Sequence, residues 1–169
     1  SIRKAADFLL KEQNRDGSWG NHTRTKGLNV LCPYPEGPRS FRTASTSLCV
    51  IGLLTSPLKE DPAVKASLDK ALQYLLTTLP TLKRGDTRTV LGVWGHAYGL
   101  SALSRAARNL PADAPLREEL KKVASLQVKA LDQMADVQGG WGYYTFETFS
   151  KRPIGEPTSF LTATVLLAY

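Results

Sequence analysis

Cysteines and long apolar runs are scarce in this chain of 169 residues. Its two cysteines, Cys32 and Cys49, are too few for a disulfide framework. A single bridge between them would require an oxidising compartment, so the two residues leave the location in the cell undetermined. The longest uncharged apolar run, 160–169, falls well short of the ~20 residues that span a bilayer. The sequence therefore predicts no transmembrane segment.

Motifs of the common catalytic classes are also missing. The chain has no Gly-x-Ser-x-Gly, no phosphate-binding loop and no dinucleotide-binding fingerprint. No pair of cysteines or histidines has the short spacing of a common zinc site. His22 and Cys32 fall in one predicted loop, and Cys49 and His96 fall on different predicted helices. We therefore expect no bound metal and no cofactor.

Positive charge exceeds negative charge, with 22 Lys and Arg against 15 Asp and Glu, for a net charge of +7. The basic residues are spread along the whole chain instead of forming one cluster. Scatter of this kind is typical of a solvated surface, whereas nucleic-acid binding needs a basic patch. We therefore expect no nucleic-acid partner.

Helical periodicity dominates the chain, and no stretch alternates with a period of two. The sequence predicts an all-α fold in a single domain over residues 1–169. The expected helices lie at about 2–13, 43–55, 62–79, 94–109, 115–134 and 158–169.

These helices alternate in character along the chain. The first, third and fifth are amphipathic, whereas the second, fourth and sixth are apolar on almost all sides and are expected to be internal. Three outer–inner pairs in succession are how a two-layer ring of helices is built. An irregular all-α bundle with the same number of helices is the alternative.

A Gly-x-Trp-Gly motif occurs three times and contains all the tryptophans of the chain. Its copies are separated unequally, which places insertions in the loops. The segments after the copies also align without gaps, each with a polar residue first and a small residue seventh. The motif is expected to mark each inner helix. The aligned segments are 46–53, 96–103 and 162–169.

The first copy carries a more specific pattern. Gln13, Gly17 and Trp19 fit Gln-x-x-x-Gly-x-Trp after an amphipathic helix. Here the sequence resembles the QW motif of the terpenoid cyclase and protein prenyltransferase superfamily, also known as the prenyltransferase/squalene oxidase repeat. The resemblance implies an α/α-toroid in which the Gln and the Trp stack and tie one helix end to the next. A Gln amide can bond backbone groups left unpaired at helix ends, and an indole can cover it.

The other two copies match this pattern less closely. Gly139 and Trp141 match it fairly, but Ala135 stands where the third copy would need its Gln. Gly92 and Trp94 match it weakly. We interpret all these residues as structural and not as ligand contacts.

The catalytic motifs of the similar enzymes are absent. The Asp-x-Asp-Asp motif with which squalene–hopene-type cyclases protonate an alkene does not occur, and neither does Asp-Asp-x-x-Asp. The resemblance therefore implies a non-catalytic or ligand-binding toroid module. The alternative is part of an isoprenoid cyclase or prenyltransferase whose acidic motif lies outside this segment.

A small set of residues could contact a hydrophobic or isoprenoid ligand. His96 opens a predicted inner helix, and Tyr98 comes shortly after it. If the inner helices point one end at a central cavity, His96 could face a ligand there. Tyr143 and Tyr144 could line an apolar pocket. The plainer interpretations are a helix-start histidine bonded to backbone and aromatic residues that pack a loop.

Three helix pairs make half of a six-pair ring. Such a half has an apolar edge at 158–169. The chain is therefore expected to be a fragment of a longer one, joined to the rest of it through this edge, or a domain that completes itself by self-association.

Overall fold

A computed structural model describes residues 1–20, 36–82, 92–142 and 157–169. Within these ranges the fold is all-α, which confirms the predicted class, and no strand occurs. A short 3₁₀ turn at Leu79–Thr81 comes after the third helix. The helices are α1 (Ile2–Glu12), α2 (Glu36–Thr55), α3 (Pro62–Thr78), α4 (Gly92–Asn109), α5 (Pro115–Met134) and α6 (Ser159–Ala168).

The helix ends obey ordinary capping chemistry. The Ser1 side chain accepts from the backbone N–H of Lys4, and the Asp61 carboxylate accepts from that of Ala63 at 2.9 Å. Thr158 caps α6 in the same way. These caps stand close to the predicted starts of α1, α3 and α6, because a polar side chain before an apolar run is readable from sequence.

The predicted start of α2 was wrong. The helix begins at Glu36, several residues before the expected Thr43. The prolines of this region favoured a loop, but Pro38 lies in the first turn of the helix. A proline is tolerated there, because the first N–H groups of a helix have no partner within it.

Two helices, α4 and α3, make most of the contacts between helices. Helix α4 packs most extensively on α2 and α5 and also contacts α6. Helix α3 contacts α1, α2 and α5. One apolar cluster contains buried residues from all six helices, among them Ala6, Val50, Val64, Leu100, Leu120 and Val165.

The three apolar helices are not equally internal. Helix α4 has α2, α5 and α6 as neighbours and is buried along most of its length. In contrast, Leu48 on α2 is 47% exposed and Leu167 on α6 is 86% exposed. The reason is that α2 and α6 have α4 on one side and no comparable neighbour on the other within the described residues. In the same part of the chain, none of the helices combines the length and apolarity needed to span a membrane.

Candidate functional site

The turn after α1 is built around Trp19. Gly17 adopts a φ of +87°, which turns the chain back along the helix it has just left. Trp19 is only 4% exposed, and its indole N–H donates to the carbonyl oxygen of Leu9 at 2.7 Å. Its backbone N–H donates to Oγ1 of Thr46 on α2 at 2.9 Å. The residue therefore joins the last turn of α1 to α2.

Gln13 connects the same turn to α3. Its Nε2 donates to the carbonyl oxygens of Gly17 and Ser67, both at 2.9 Å. Its Oε1 accepts from the Ser67 hydroxyl, also at 2.9 Å. The amide thus uses both its donor and its acceptor groups between two helices.

A charged pair fastens the turn to α2 at its surface. The Arg42 guanidinium donates to the Asp16 carboxylate at 2.9 Å and lies over the ring of Tyr74. Asp16 also accepts from the Ser18 hydroxyl at 2.7 Å. Burial raises the pKa of Asp16, but the hydrogen bonds from Ser18 and the charge of Arg42 outweigh it, so the pKa lies below its ordinary value.

The turn after α5 repeats the contacts of the first turn. The Trp141 indole N–H donates to the carbonyl oxygen of Leu131 at 2.8 Å, the same sequence separation as from Trp19 to Leu9. The Trp141 backbone N–H donates to Oγ1 of Thr162 on α6 at 3.0 Å. Gly139 has a φ of +96°. Ala135 stands after the end of α5 in place of a Gln, so its side chain offers no hydrogen-bonding group.

The second copy of the motif has a different structure. Gly92 and Trp94 lie inside the first turn of α4, not in a turn before it. Trp94 stacks on Tyr98 with ring centroids 5.3 Å apart and contacts Phe160 of α6 at 5.2 Å. This copy therefore marks the start of α4 from within the helix, whereas the first and third copies lie in turns after α1 and α5.

His96 is buried and bonded to a neighbouring helix. It is 2% exposed, and its Nδ1 lies 2.7 Å from Oε1 of Gln127 on α5. Because an amide oxygen only accepts, Nδ1 carries the proton. Nε2 is then a buried acceptor with no partner in the part of the chain that the structure describes. Burial lowers the pKa of His96, although the Gln127 hydrogen bond raises it, so the imidazole is neutral at pH 7.

The predicted ligand contacts do not share one set of neighbours. His96 turns to α5, and Tyr98 packs on Trp94. Tyr143 and Tyr144 lie outside the described residues, as do His22 and Cys32. Cys49 is half-buried against the apolar core. Among the described residues no group of three His, Cys, Asp or Glu side chains is placed to hold a metal ion.

Sequence reasoning missed the partners of these residues. Thr46 and Thr162 each accept the backbone N–H of a tryptophan, and the only signal is that both stand first in the aligned segments. Gln127 is fully buried beside His96. The sequence feature that could have identified it is a single amide side chain on the apolar face of α5.

No family model matches the chain, and no solved structure matches it significantly. A functional assignment therefore depends on the contacts within the chain itself.

Proposed function

We propose that this chain is a non-catalytic repeat module of the α/α-toroid type. The observation that carries the proposal is the agreement between the turns that contain Trp19 and Trp141, called the tryptophan turns below. In both, the indole N–H bonds to the last turn of an amphipathic helix, and the backbone N–H bonds to a threonine of a later apolar helix. The residues that define the motif are thus occupied in holding helices together.

The helix contacts support a two-layer arrangement for the module. Helix α4 contacts both α2 and α6, which fits an inner layer of the apolar helices. Helix α3 contacts both α1 and α5, which fits an outer layer of the amphipathic ones. Gln13 joins α1 to α3 within that outer layer. In this proposal the pairs are α1–α2, α3–α4 and α5–α6, which is half of a six-pair ring.

The buried state of His96 supports a structural role over a catalytic one. A general acid must present a proton to its substrate, whereas the protonated nitrogen of His96 is bonded to Gln127. We therefore expect the purified chain to form no product from squalene or from farnesyl diphosphate in a mass-spectrometric assay. Product that disappears in the His96→Ala variant would contradict the proposal.

The exposed face of α6 is the proposed joining surface of the module. Phe160 and Leu166 are each about as exposed as polar surface residues, at 60% and 63%. Burying such side chains is favourable, so we propose that two copies of the chain pair through this face. Light scattering is expected to give a mass above the 18.5 kDa of one chain. The Leu166→Glu variant should return the mass to 18.5 kDa.

The control for this experiment is Leu126→Glu. Leu126 is also exposed, but it belongs to α5 and is not part of the proposed joining surface on α6. This variant should keep the larger mass. A monomer at every protein concentration would contradict the pairing.

A further inference from the structure

A cavity of about 360 Å³ lies between the end of α4, the first turns of α5 and the end of α6. Its apolar part includes Leu103 and Ala107 of α4 and Ala124 of α5. Its polar part contains three cations, which are Arg108, Arg117 and Lys121. Among the described residues that line it, none is acidic.

The cations of this cavity retain hydrogen-bonding capacity. Lys121 donates to Glu118 at 2.7 Å, but both side chains are more than half exposed, and surface pairs of this kind are weak. Arg108 donates through Nε to the Ser104 carbonyl, so the terminal nitrogens of its guanidinium can still donate to a ligand. Nε of Arg117 is buried and has no hydrogen-bond partner among the described residues. An unpaired buried donor is unfavourable, so an acceptor placed beside it would be stabilised.

A second cavity shows that this charge is not a general property of the fold. It measures about 290 Å³ and lies between α2, α3 and α4. The buried residues of α5 stand at one constant sequence offset from those of α3. The corresponding pairs are Val64 with Leu120, Ser67 with Val123, Leu68 with Ala124 and Leu75 with Leu131.

The same sequence offset between α3 and α5 shows which charged residues stand at matching positions. It pairs Lys65 with Lys121, so this cation is common to both. It pairs Arg117 with Asp61, the carboxylate that caps α3, which does not line the second cavity. The wall of the cavity between α2, α3 and α4 contains Glu60 and Asp69, which balance its lysines. Of these two cavities, the one between α4, α5 and α6 has an excess of positive charge among its described wall residues.

From these observations we infer that the cavity between α4, α5 and α6 binds a small amphipathic anion, a phosphate monoester on a short aliphatic chain. The phosphate would lie between Arg117, Lys121 and Arg108, because a guanidinium matches phosphate oxygens with paired N–H groups. The aliphatic chain would lie on Leu103 and Ala107. At ~30 Å³ for each water molecule in the liquid, the cavity of about 360 Å³ has the volume of roughly twelve waters, which is enough for a small ligand of this kind. This inference is independent of the proposed toroid role.

Isothermal titration calorimetry with hexyl phosphate tests the inference. Arg117→Gln and Lys121→Gln should each weaken binding about tenfold or more, since each removes a charge-assisted hydrogen bond. Lys65 occupies the matching position in the cavity between α2, α3 and α4, so Lys65→Gln should leave the Kd unchanged. Arg117→Lys keeps the charge but loses the paired N–H groups. Its Kd for hexyl phosphate should therefore lie between those of Arg117→Gln and the unaltered chain. Circular dichroism verifies that each variant is folded.

Two further ligands separate the phosphate from the aliphatic chain. Inorganic phosphate should bind at least tenfold more weakly than hexyl phosphate, because it leaves the apolar wall uncovered. Hexylammonium should not bind, because its charge is repelled by the three cations. Equal binding of hexylammonium and hexyl phosphate would overturn the inference. Equal losses in Lys121→Gln and Lys65→Gln, or no saturable binding of hexyl phosphate, would overturn it as well.

Discussion

Trp19→Ala is expected to lower the free energy of unfolding by about 3–5 kcal/mol. The indole is almost fully buried in the core shared by all six helices, so its removal leaves a cavity. The substitution also removes the hydrogen bond to the Leu9 carbonyl. Urea denaturation monitored by circular dichroism would measure the loss.

Two variants separate packing from hydrogen bonding at this position. Trp19→Phe keeps an aromatic ring but has no N–H, so it should cost about 0.5–1.5 kcal/mol for the lost bond, plus a smaller packing loss. Trp141→Ala removes the same hydrogen bond from a less buried site and should cost less than Trp19→Ala. Equal losses for the two alanine variants would show that burial does not set the effect.

Gly17→Ala is expected to lower the free energy of unfolding by about 3 kcal/mol or more. One part of this cost is the φ of +87°, which is unfavourable for a residue with a side chain. The other part is steric, because a Cβ at this position would lie 2.3 Å from the carbonyl oxygen of Lys70. That oxygen belongs to the backbone of α3 and cannot move alone. The measurement is again urea denaturation.

Gly139→Ala is the matched control for the backbone part of this cost. Gly139 has a similar φ of +96°, but a Cβ there would have no heavy atom of the described residues within 4 Å. We therefore expect a loss of only about 1–2 kcal/mol. If both variants lost the same stability, the close approach of Gly17 to α3 would not contribute.

The helices could be predicted from the sequence because they depend on local patterns. The bounds of α5 agree with the prediction, since Pro115 stands at its start and the apolar spacing continues to Met134. The start of α2 could not be predicted from a run of prolines alone. A proline breaks a helix in its interior but not in its first turn, and the two cases have the same residue in the sequence.

The tryptophan turns were partly predictable. Gln13, Gly17 and Trp19 could be selected because their pattern comes directly after an amphipathic helix. Their partners Leu9 and Ser67 could not be selected, because they accept through backbone carbonyls, which every residue has. The hydrogen bond between His96 and Gln127 depends in the same way on how α4 packs against α5.

Trp94 shows that the same four-residue pattern can form two structures. In the first and third copies an Asn or Asp stands three residues before the first glycine, at Asn14 and Asp136. Each accepts the glycine N–H through its backbone carbonyl, which forms the turn. The second copy has Thr89 at that position. Asn and Asp are favoured in turns because their side chains bond nearby backbone groups, as the Asp136 carboxylate does when it accepts from the N–H of Gln138 at 2.8 Å. The flanking residue therefore separated the copies better than the motif itself.

The contacts of the tryptophan turns also differ in how much chain each one closes. The indole bonds of Trp19 and Trp141 each span 10 residues, whereas the bond from Gln13 to Ser67 spans 54. Loop-closure entropy grows with the logarithm of loop length, so the longer contact costs about 1.5 kcal/mol more to close. Each tryptophan turn therefore forms at a low entropic cost within its own segment, whereas the contact that joins the end of α1 to α3 has the larger entropic cost of closure.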